Sequence, residues 1–128
     1  MKELMKDFIL EQGRLRPGAN FNSIEGTINL YGRSLLEFAE DVFEPMNKWL
    51  EEYMKNPREE TVINISLEYF NSSTAKALVK FLSIAKNLSK NCRLKVNYYF
   101  DDENVLEYGK DFSDVLDIPF NFIEKQYN

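Results

Sequence analysis

The length, composition and charge of this chain exclude several classes of protein. Its 128 residues suit one domain, and 44% hydrophobic residues, with ten Phe, seven Tyr and one Trp, predict a folded core. A net charge of -5 disfavours nucleic acids and anionic membrane surfaces as partners. Without histidine, and with Cys92 as the single cysteine, the chain lacks the commonest general base and cannot form an internal disulfide.

The N-terminal part of the chain is predicted to form strands followed by a helix. Apolar residues in residues 7–12 predict an edge strand, and the pattern of residues 19–32 predicts a hairpin. Proline is tolerated in the first turn of a helix but breaks its interior. Pro45 therefore predicts a turn around residues 36–43 and a separate helix from about 44 to 55.

Residues 61–100 predict a strand–helix–strand unit. The first strand, residues 61–70, alternates apolar and polar side chains. Its predicted packed face carries Ile63, Ile65, Leu67 and Tyr69. The helix, residues 72–90, has an apolar arc wider than one interface needs, which suits either a well-covered core helix or a helix with a partner surface. The helix between the two strands predicts a right-handed crossover connection, in which the second strand, residues 93–100, runs parallel to the first.

The C-terminal part predicts a short helix over residues 102–113 and a last strand over residues 120–123. Together these elements predict an α/β fold, a single small domain over residues 1–128 with a mixed β-sheet and helices mainly on one face. We find no apolar run long enough for a membrane span and no signal-like segment, so we expect a cytoplasmic protein.

The run Asn71-Ser72-Ser73-Thr74 lies where the strand ends and the long helix begins. The first N–H groups of a helix have no partner within it, and hydroxyl and amide side chains there satisfy them. This end of a helix also favours negative charge, because the backbone dipoles sum to a partial positive charge. The run is therefore either a helix cap alone or a cap that also contains a phosphorylation site.

The acidic run Asp101-Asp102-Glu103 follows the second strand of the unit. Since the carboxyl ends of neighbouring parallel strands lie at one edge of the sheet, this run should lie near residues 71–74. A phosphoryl group on Ser72 would add a charge of roughly -1.5 to -2 there and could change how a partner docks. The acids could instead hold a divalent cation. No supporting histidine, glycine-rich loop or nucleophile–base pair accompanies them, so an enzyme or metal site is the weakest interpretation.

The segment from Tyr69 to Lys76, Tyr-Phe-Asn-Ser-Ser-Thr-Ala-Lys, resembles the signature of the SiaC-type regulatory phosphoproteins. These are bacterial proteins related in fold to the anti-sigma-factor antagonists (STAS domains). Further segments agree in order and spacing. They are Gly32-Arg33-Ser34, Trp49 in a Trp-Leu-Glu-Glu-Tyr helix, the aromatic strand from Asn97 that ends in acids at Glu103, Glu107-Tyr108-Gly109 and Ile118-Pro119-Phe120. The resemblance extends over about residues 19–123.

This resemblance implies a STAS-like signalling protein without a cofactor, not an enzyme. In the family, the hydroxyl residue after the asparagine is phosphorylated by a cognate Ser/Thr kinase and dephosphorylated by a PP2C-type phosphatase. That residue is Ser72 here, and Ser73 is the second candidate because related antagonist domains use the next hydroxyl. The best-known member, when unphosphorylated, binds and activates a diguanylate cyclase, which implies a role in c-di-GMP signalling and biofilm formation.

The expected partner-binding residues surround this phosphorylation site. They are Asn71, Thr74, Lys76, Asp101, Asp102 and Glu103. The chain departs from the family at Leu35-Leu36-Glu37-Phe38, which keeps only the glutamate of an aromatic-proline-glutamate-asparagine run, so the contacts of that loop cannot be transferred. The alternative to a phosphorylation switch is a passive protein-interaction module in which the serine cluster is only a helix cap.

Overall fold

The structure, a computed structural model, describes residues 5–127, which form one six-stranded mixed sheet and three α-helices. In chain order the elements are β1 (Phe8–Leu10), β2 (Gly18–Asn22), β3 (Thr27–Ser34), α1 (Ala39–Tyr53), β4 (Glu60–Phe70), α2 (Ser72–Lys86), a 3-10 turn (Asn87–Lys90), β5 (Arg93–Phe100), α3 (Glu103–Leu116) and β6 (Phe120–Glu124). The strands lie in the sheet in this same order. β1, β2 and β3 pair antiparallel, whereas β3 to β6 are all parallel.

The helices cover one face of the sheet, as predicted. Buried side chains from alternate positions of β2 to β5 form that face, and α2 packs between α1 and α3. The predicted parallel pairing of β4 and β5 is confirmed, with Ile63 opposite Val96 and Ile65 opposite Tyr98. Most of the apolar arc of α2 is buried, Val79 and Ile84 are partly buried against the core, and Phe81 packs against Phe43 of α1. The wide apolar arc therefore packs in the core, which favours its interpretation as a well-covered core helix.

The other face of the sheet is polar and carries a ladder of asparagine side chains. Asn64 donates to Asn29 at 2.8 Å, Asn97 donates to Asn64 at 2.9 Å, and Asn121 donates to Asn97 at 3.2 Å. These residues lie at matching register positions on β3 to β6. The C-terminal segment crosses the same face, where the Tyr127 hydroxyl lies 2.9 Å from the Ser66 hydroxyl.

Pro45 lies inside α1 and does not split it, contrary to the prediction. The helix begins at Ala39, five residues earlier than expected. Proline lacks the N–H that would bond to the carbonyl of Asp41, but both residues are exposed, so water can satisfy that carbonyl. The opposite side of the helix is anchored in the core by Phe43, Met46, Trp49, Leu50 and Tyr53. This burial offsets the missing hydrogen bond.

The alternation of β4 changes phase near its end. Gly32 pairs with Leu67 but the next residue, Arg33, pairs with Tyr69, so one residue of β4 is left over. This irregularity has the geometry of a β-bulge, which turns the following side chains over. Tyr69 is consequently 49% exposed, whereas Phe70 enters the core. The prediction that Tyr69 lies on the packed face is therefore wrong.

Gly109 allows α3 to lie close to the sheet. A side-chain carbon at this position would come within 2.4 Å of the Tyr98 ring, because the helix backbone approaches β5 directly there. The Tyr98 hydroxyl in turn donates to the carbonyl of Val105 at 2.6 Å. This close approach places the start of α3 beside the start of α2.

Within the described residues, no helix combines the length and the apolar character that crossing a membrane requires.

Candidate functional site

Within the predicted capping run, no serine caps α2, and the N-cap is Asn71. Its side-chain oxygen accepts the N–H of Thr74 at 3.0 Å, which satisfies one of the free donors of the first turn. Its amide nitrogen donates to the carbonyl of Leu36 at 3.0 Å, and its backbone N–H donates to the carbonyl of Ser34. Asn71 therefore joins the helix start to the β3–α1 loop, in addition to capping the helix.

Thr74 is fully buried and completes this attachment. Its hydroxyl donates to the Ser34 carbonyl at 3.1 Å and lies 2.6 Å from the Ser34 hydroxyl, which is also fully buried. Buried hydroxyls need such partners, because an unpaired one costs free energy. The predicted direct contact of Thr74 with a partner is therefore corrected. Thr74 holds the start of α2 against the end of β3 and so positions the site.

Ser73 caps a helix other than its own. Its hydroxyl accepts the N–H of Ala39, the first residue of α1, at 3.0 Å. Phe38, the N-cap residue of α1, forms no side-chain cap bond, so Ser73 takes that role. Its half-buried hydroxyl is therefore engaged in holding two helix starts together.

Ser72 differs from both of its neighbours. It is exposed, and its side chain forms no hydrogen bond with any residue in the range 5–127. It lies between two surface grooves, which we call the α3 groove and the α1 groove. The α3 groove, about 560 Å³, is lined by Ser72 with Tyr69, Phe70, Asn71, Asn104, Val105, Glu107, Tyr108 and Asp111. The α1 groove, about 500 Å³, is lined by Ser72 with Glu37, Phe38, Glu40, Asp41, Ser73 and Lys76.

The acidic run after β5 lies at the same edge of the sheet but outside these two grooves. Asp101 and Asp102 line a separate shallow groove with Glu68 and Tyr69. Asp102 is the N-cap of α3 and accepts the N–H of Asn104 at 2.6 Å, and Glu103 is the first residue of that helix. The acids that share a groove with Ser72 come instead from α3, from the β3–α1 loop and from the start of α1. Sequence reasoning missed them because their placement depends on helix packing.

The interpretation of the acidic run as a metal or enzyme site gains no support from this geometry. Within the described part of the chain, no three His, Cys, Asp or Glu side chains converge as metal ligands. Asp102 already uses its carboxylate as a helix cap. At the same edge, Glu68 is paired with Arg33 at 3.1 Å, and this hydrogen bond raises the pKa of the Arg33 guanidinium. Asp102 and Glu68 at this edge are therefore engaged in local structure.

Two comparisons place the fold and the sequence among known proteins. The structure is similar to apo-SiaC from Pseudomonas aeruginosa, with a TM-score of 0.82 at 20% sequence identity, covering 95% of this chain and 100% of that one. It is also similar to a chain in the crystal structure of the diguanylate cyclase SiaD in complex with its activator SiaC from the same organism. That TM-score is 0.83 at 19% identity, covering 93% of this chain and 100% of that one.

The sequence itself matches a family. No curated protein sequence gives a significant match. A sequence model of the SiaC family regulatory phosphoproteins matches residues 10–125. This range includes all six strands except the first two residues of β1, all three helices and the whole region around Ser72. The chain therefore belongs to the SiaC family of regulatory phosphoproteins.

Proposed function

We propose that this protein is a partner switch controlled by phosphorylation of Ser72. A cognate Ser/Thr kinase adds the phosphate and a PP2C-type phosphatase removes it. The unphosphorylated form binds and regulates a target protein, such as a diguanylate cyclase, in the cytoplasm. The chain acts by binding and performs no catalysis itself.

The observation that supports Ser72 as the phosphate acceptor is that its hydroxyl is exposed and forms no hydrogen bond within residues 5–127. Of the three hydroxyls at the start of α2, Thr74 is buried and bonded to Ser34, and Ser73 is bonded to the start of α1. Of these three residues, only Ser72 is exposed and forms no side-chain hydrogen bond within residues 5–127. A kinase can therefore reach its hydroxyl without breaking a contact that holds the fold.

The surroundings of Ser72 suit a protein interface. Phe38 beside the α1 groove is 68% exposed, and Tyr69 beside the α3 groove is 49% exposed. Exposed aromatic side chains are typical anchors of protein interfaces. A partner seated on both would cover Ser72, so a phosphate there would change the surface that the partner meets. We propose that Asn71, Lys76 and the acidic run 101–103 contribute to the edge of this interface.

The acceptor is tested by incubating the purified chain with ATP, Mg²⁺ and the Ser/Thr kinase encoded nearest to it. Peptide mass spectrometry then locates the phosphate. We expect phosphate on Ser72 in the parent chain and none in Ser72→Ala, with Ser73→Ala as the matched control that remains phosphorylated. Phosphate on Ser73 alone would reject the assignment. No phosphate with a kinase of proven activity would favour the passive interaction module.

The switch is tested by binding. The target would be captured from the native host with the Ser72→Ala variant as bait, identified, and then measured by calorimetry with purified proteins. We expect Ser72→Ala to bind as the unphosphorylated parent does, and Ser72→Asp to bind at least several-fold more weakly. Equal affinities of the parent, Ser72→Ala and Ser72→Asp for this target would reject the switch.

A further inference from the structure

We propose that Lys76 is the internal counter-ion of a phosphate on Ser72, so that the phosphorylated chain forms a Ser72–Lys76 ion pair within α2. This inference rests on the proposed function, because it takes Ser72 as the phosphorylated residue. It adds the residue that pairs with the phosphate and the interaction that characterises the phosphorylated state.

The spacing of the two residues on the helix carries the first part of the argument. Ser72 and Lys76 are four residues apart in α2 and line the same α1 groove. Side chains at this spacing lie on one face, with Cβ atoms about 5–6 Å apart, and an acidic group N-terminal to a lysine is the favourable order. The lysine stem is long enough to bring its ammonium group to a phosphate on Ser72.

Lys76 is available for this role. Its side chain is exposed, and its ammonium group has no carboxylate within 4.0 Å in residues 5–127. The next lysine of the same helix differs, since Lys80 lies 4.0 Å from Glu44 of α1. A phosphate on Ser72 would therefore not need to displace an existing ion pair to reach Lys76.

The other charges around Ser72 favour a counter-ion beyond the positive end of the helix dipole. In the α1 groove the carboxylates of Glu37, Glu40 and Asp41 surround the site, and in the α3 groove those of Glu107 and Asp111 do so. Among the described residues that line these two grooves, Lys76 is the one cation. A dianionic phosphate would be repelled by all five carboxylates. The phosphate should therefore settle in the α1 groove, on the side of Lys76.

The pairing also gives the switch a direction. In the unphosphorylated chain the Lys76 ammonium group is exposed to a partner, together with the aromatic ring of Phe38. In the phosphorylated chain the phosphate holds the ammonium group and occupies part of the α1 groove. The modification thus removes a cation from the surface and adds an anion. Both changes weaken binding of a target that places an acidic group there.

The pair is tested by incorporating phosphoserine at position 72 during translation and following the phosphate by ³¹P NMR over pH 4–9. An ammonium group stabilises the dianion and so lowers the pKa of the second ionisation of the phosphate. We expect Lys76→Gln to raise this pKa by roughly 0.2–0.4 pH unit, the size of an exposed i,i+4 pair. Lys80→Gln removes the same charge from the same helix and should change the pKa by less than half as much.

The conservative variant separates pairing from a general structural effect. Lys76→Arg keeps the positive charge, and we expect it to keep the low phosphate pKa. An unchanged pKa in Lys76→Gln, or an equal rise in Lys76→Gln and Lys80→Gln, would overturn the inference. Because the phosphate is installed without a kinase, this test stands apart from the proposed function. A kinase that ignores Ser72 would reject the acceptor, whereas an unchanged pKa would reject only the ion pair.

Discussion

At the scale of single residues, the start of α2 shows how adjacent hydroxyls of similar chemistry acquire different roles. Ser73 and Thr74 each hold a distant part of the chain, whereas Ser72 holds none within residues 5–127. The difference follows from the direction of each side chain on the helix. Residues 73 and 74 face the β3–α1 loop and the end of β3, and residue 72 faces solvent.

These roles predict different effects on stability. Ser73→Ala removes the cap of α1 and should lower the free energy of unfolding by roughly 0.5–2 kcal/mol, the usual cost of losing a helix N-cap. Ser72→Ala removes no bond and should change it by less than about 0.5 kcal/mol. Urea unfolding followed by circular dichroism measures both. Equal losses in the two variants would contradict the structural assignment of Ser73.

A second prediction at this scale concerns Tyr98. Burial raises the pKa of the Tyr98 hydroxyl far above its ordinary value of 10.0, so the folded chain keeps the proton that the unfolded chain releases. The stability from this group is complete below pH 10 and is lost as pH rises above it. We expect the melting temperature to fall above pH 10, and to fall less steeply in Tyr98→Phe. Identical pH profiles of the two proteins would exclude Tyr98 as the cause.

At the scale of elements, α1 shows how packing overrides a local breaker. Pro45 lies in the helix interior, where proline is ordinarily unfavourable by about 3 kcal/mol relative to alanine. The helix persists because its buried face packs on the sheet and on α2. The Ser73 hydroxyl also satisfies the first N–H of the helix from outside.

This situation predicts a stabilising substitution. Pro45→Ala restores an N–H donor for the Asp41 carbonyl at an exposed position, and we expect it to raise the free energy of unfolding by roughly 1–3 kcal/mol. Glu44→Ala, at the neighbouring exposed position, is the control and should have an effect below about 0.5 kcal/mol. A loss of stability in Pro45→Ala would show that the helix has adapted to the proline. Chemical denaturation decides between these outcomes.

At the scale of the whole molecule, the two faces of the sheet have separate tasks. One face holds the core under the helices, and the other carries the asparagine ladder across β3 to β6. The carboxyl edge of the parallel strands joins these faces and carries the β4–α2 and β5–α3 junctions. The candidate site therefore lies at the edge where open α/β sheets commonly bind their ligands.

The ladder predicts a graded loss of stability along the sheet. Asn64 lies in its middle and makes two side-chain hydrogen bonds, whereas Asn121 lies at its end and makes one. With about 0.5–1.5 kcal/mol for each net hydrogen bond, Asn64→Ala should cost roughly 1–3 kcal/mol and Asn121→Ala no more than half of that. Equilibrium urea unfolding of both variants tests the order. A larger loss for the end position would reject the ladder as a stabilising network.

The features that the sequence by itself determined are those governed by neighbours along the chain. Asn71 caps α2 because its side chain bonds to an N–H three residues away, and the alternation of β4 up to Leu67 reflects the two-residue period of a strand. The parallel β4–α2–β5 unit followed from the order strand, helix, strand along the chain, since a helical crossover joins parallel strands. The resemblance of residues 69–76 to a family signature is likewise a property of the sequence.

The tertiary structure decided everything that depends on partners distant in sequence. Ser73 is occupied because Ala39 lies beside it, and Thr74 is buried because Ser34 packs against it, at separations of 34 and 40 residues. The persistence of α1 through Pro45 and the bulge that exposes Tyr69 have the same origin. The carboxylates around Ser72 were brought there by the packing of α1 and α3. Local patterns identify which residues can serve a site, whereas long-range packing determines which of them remain free to do so.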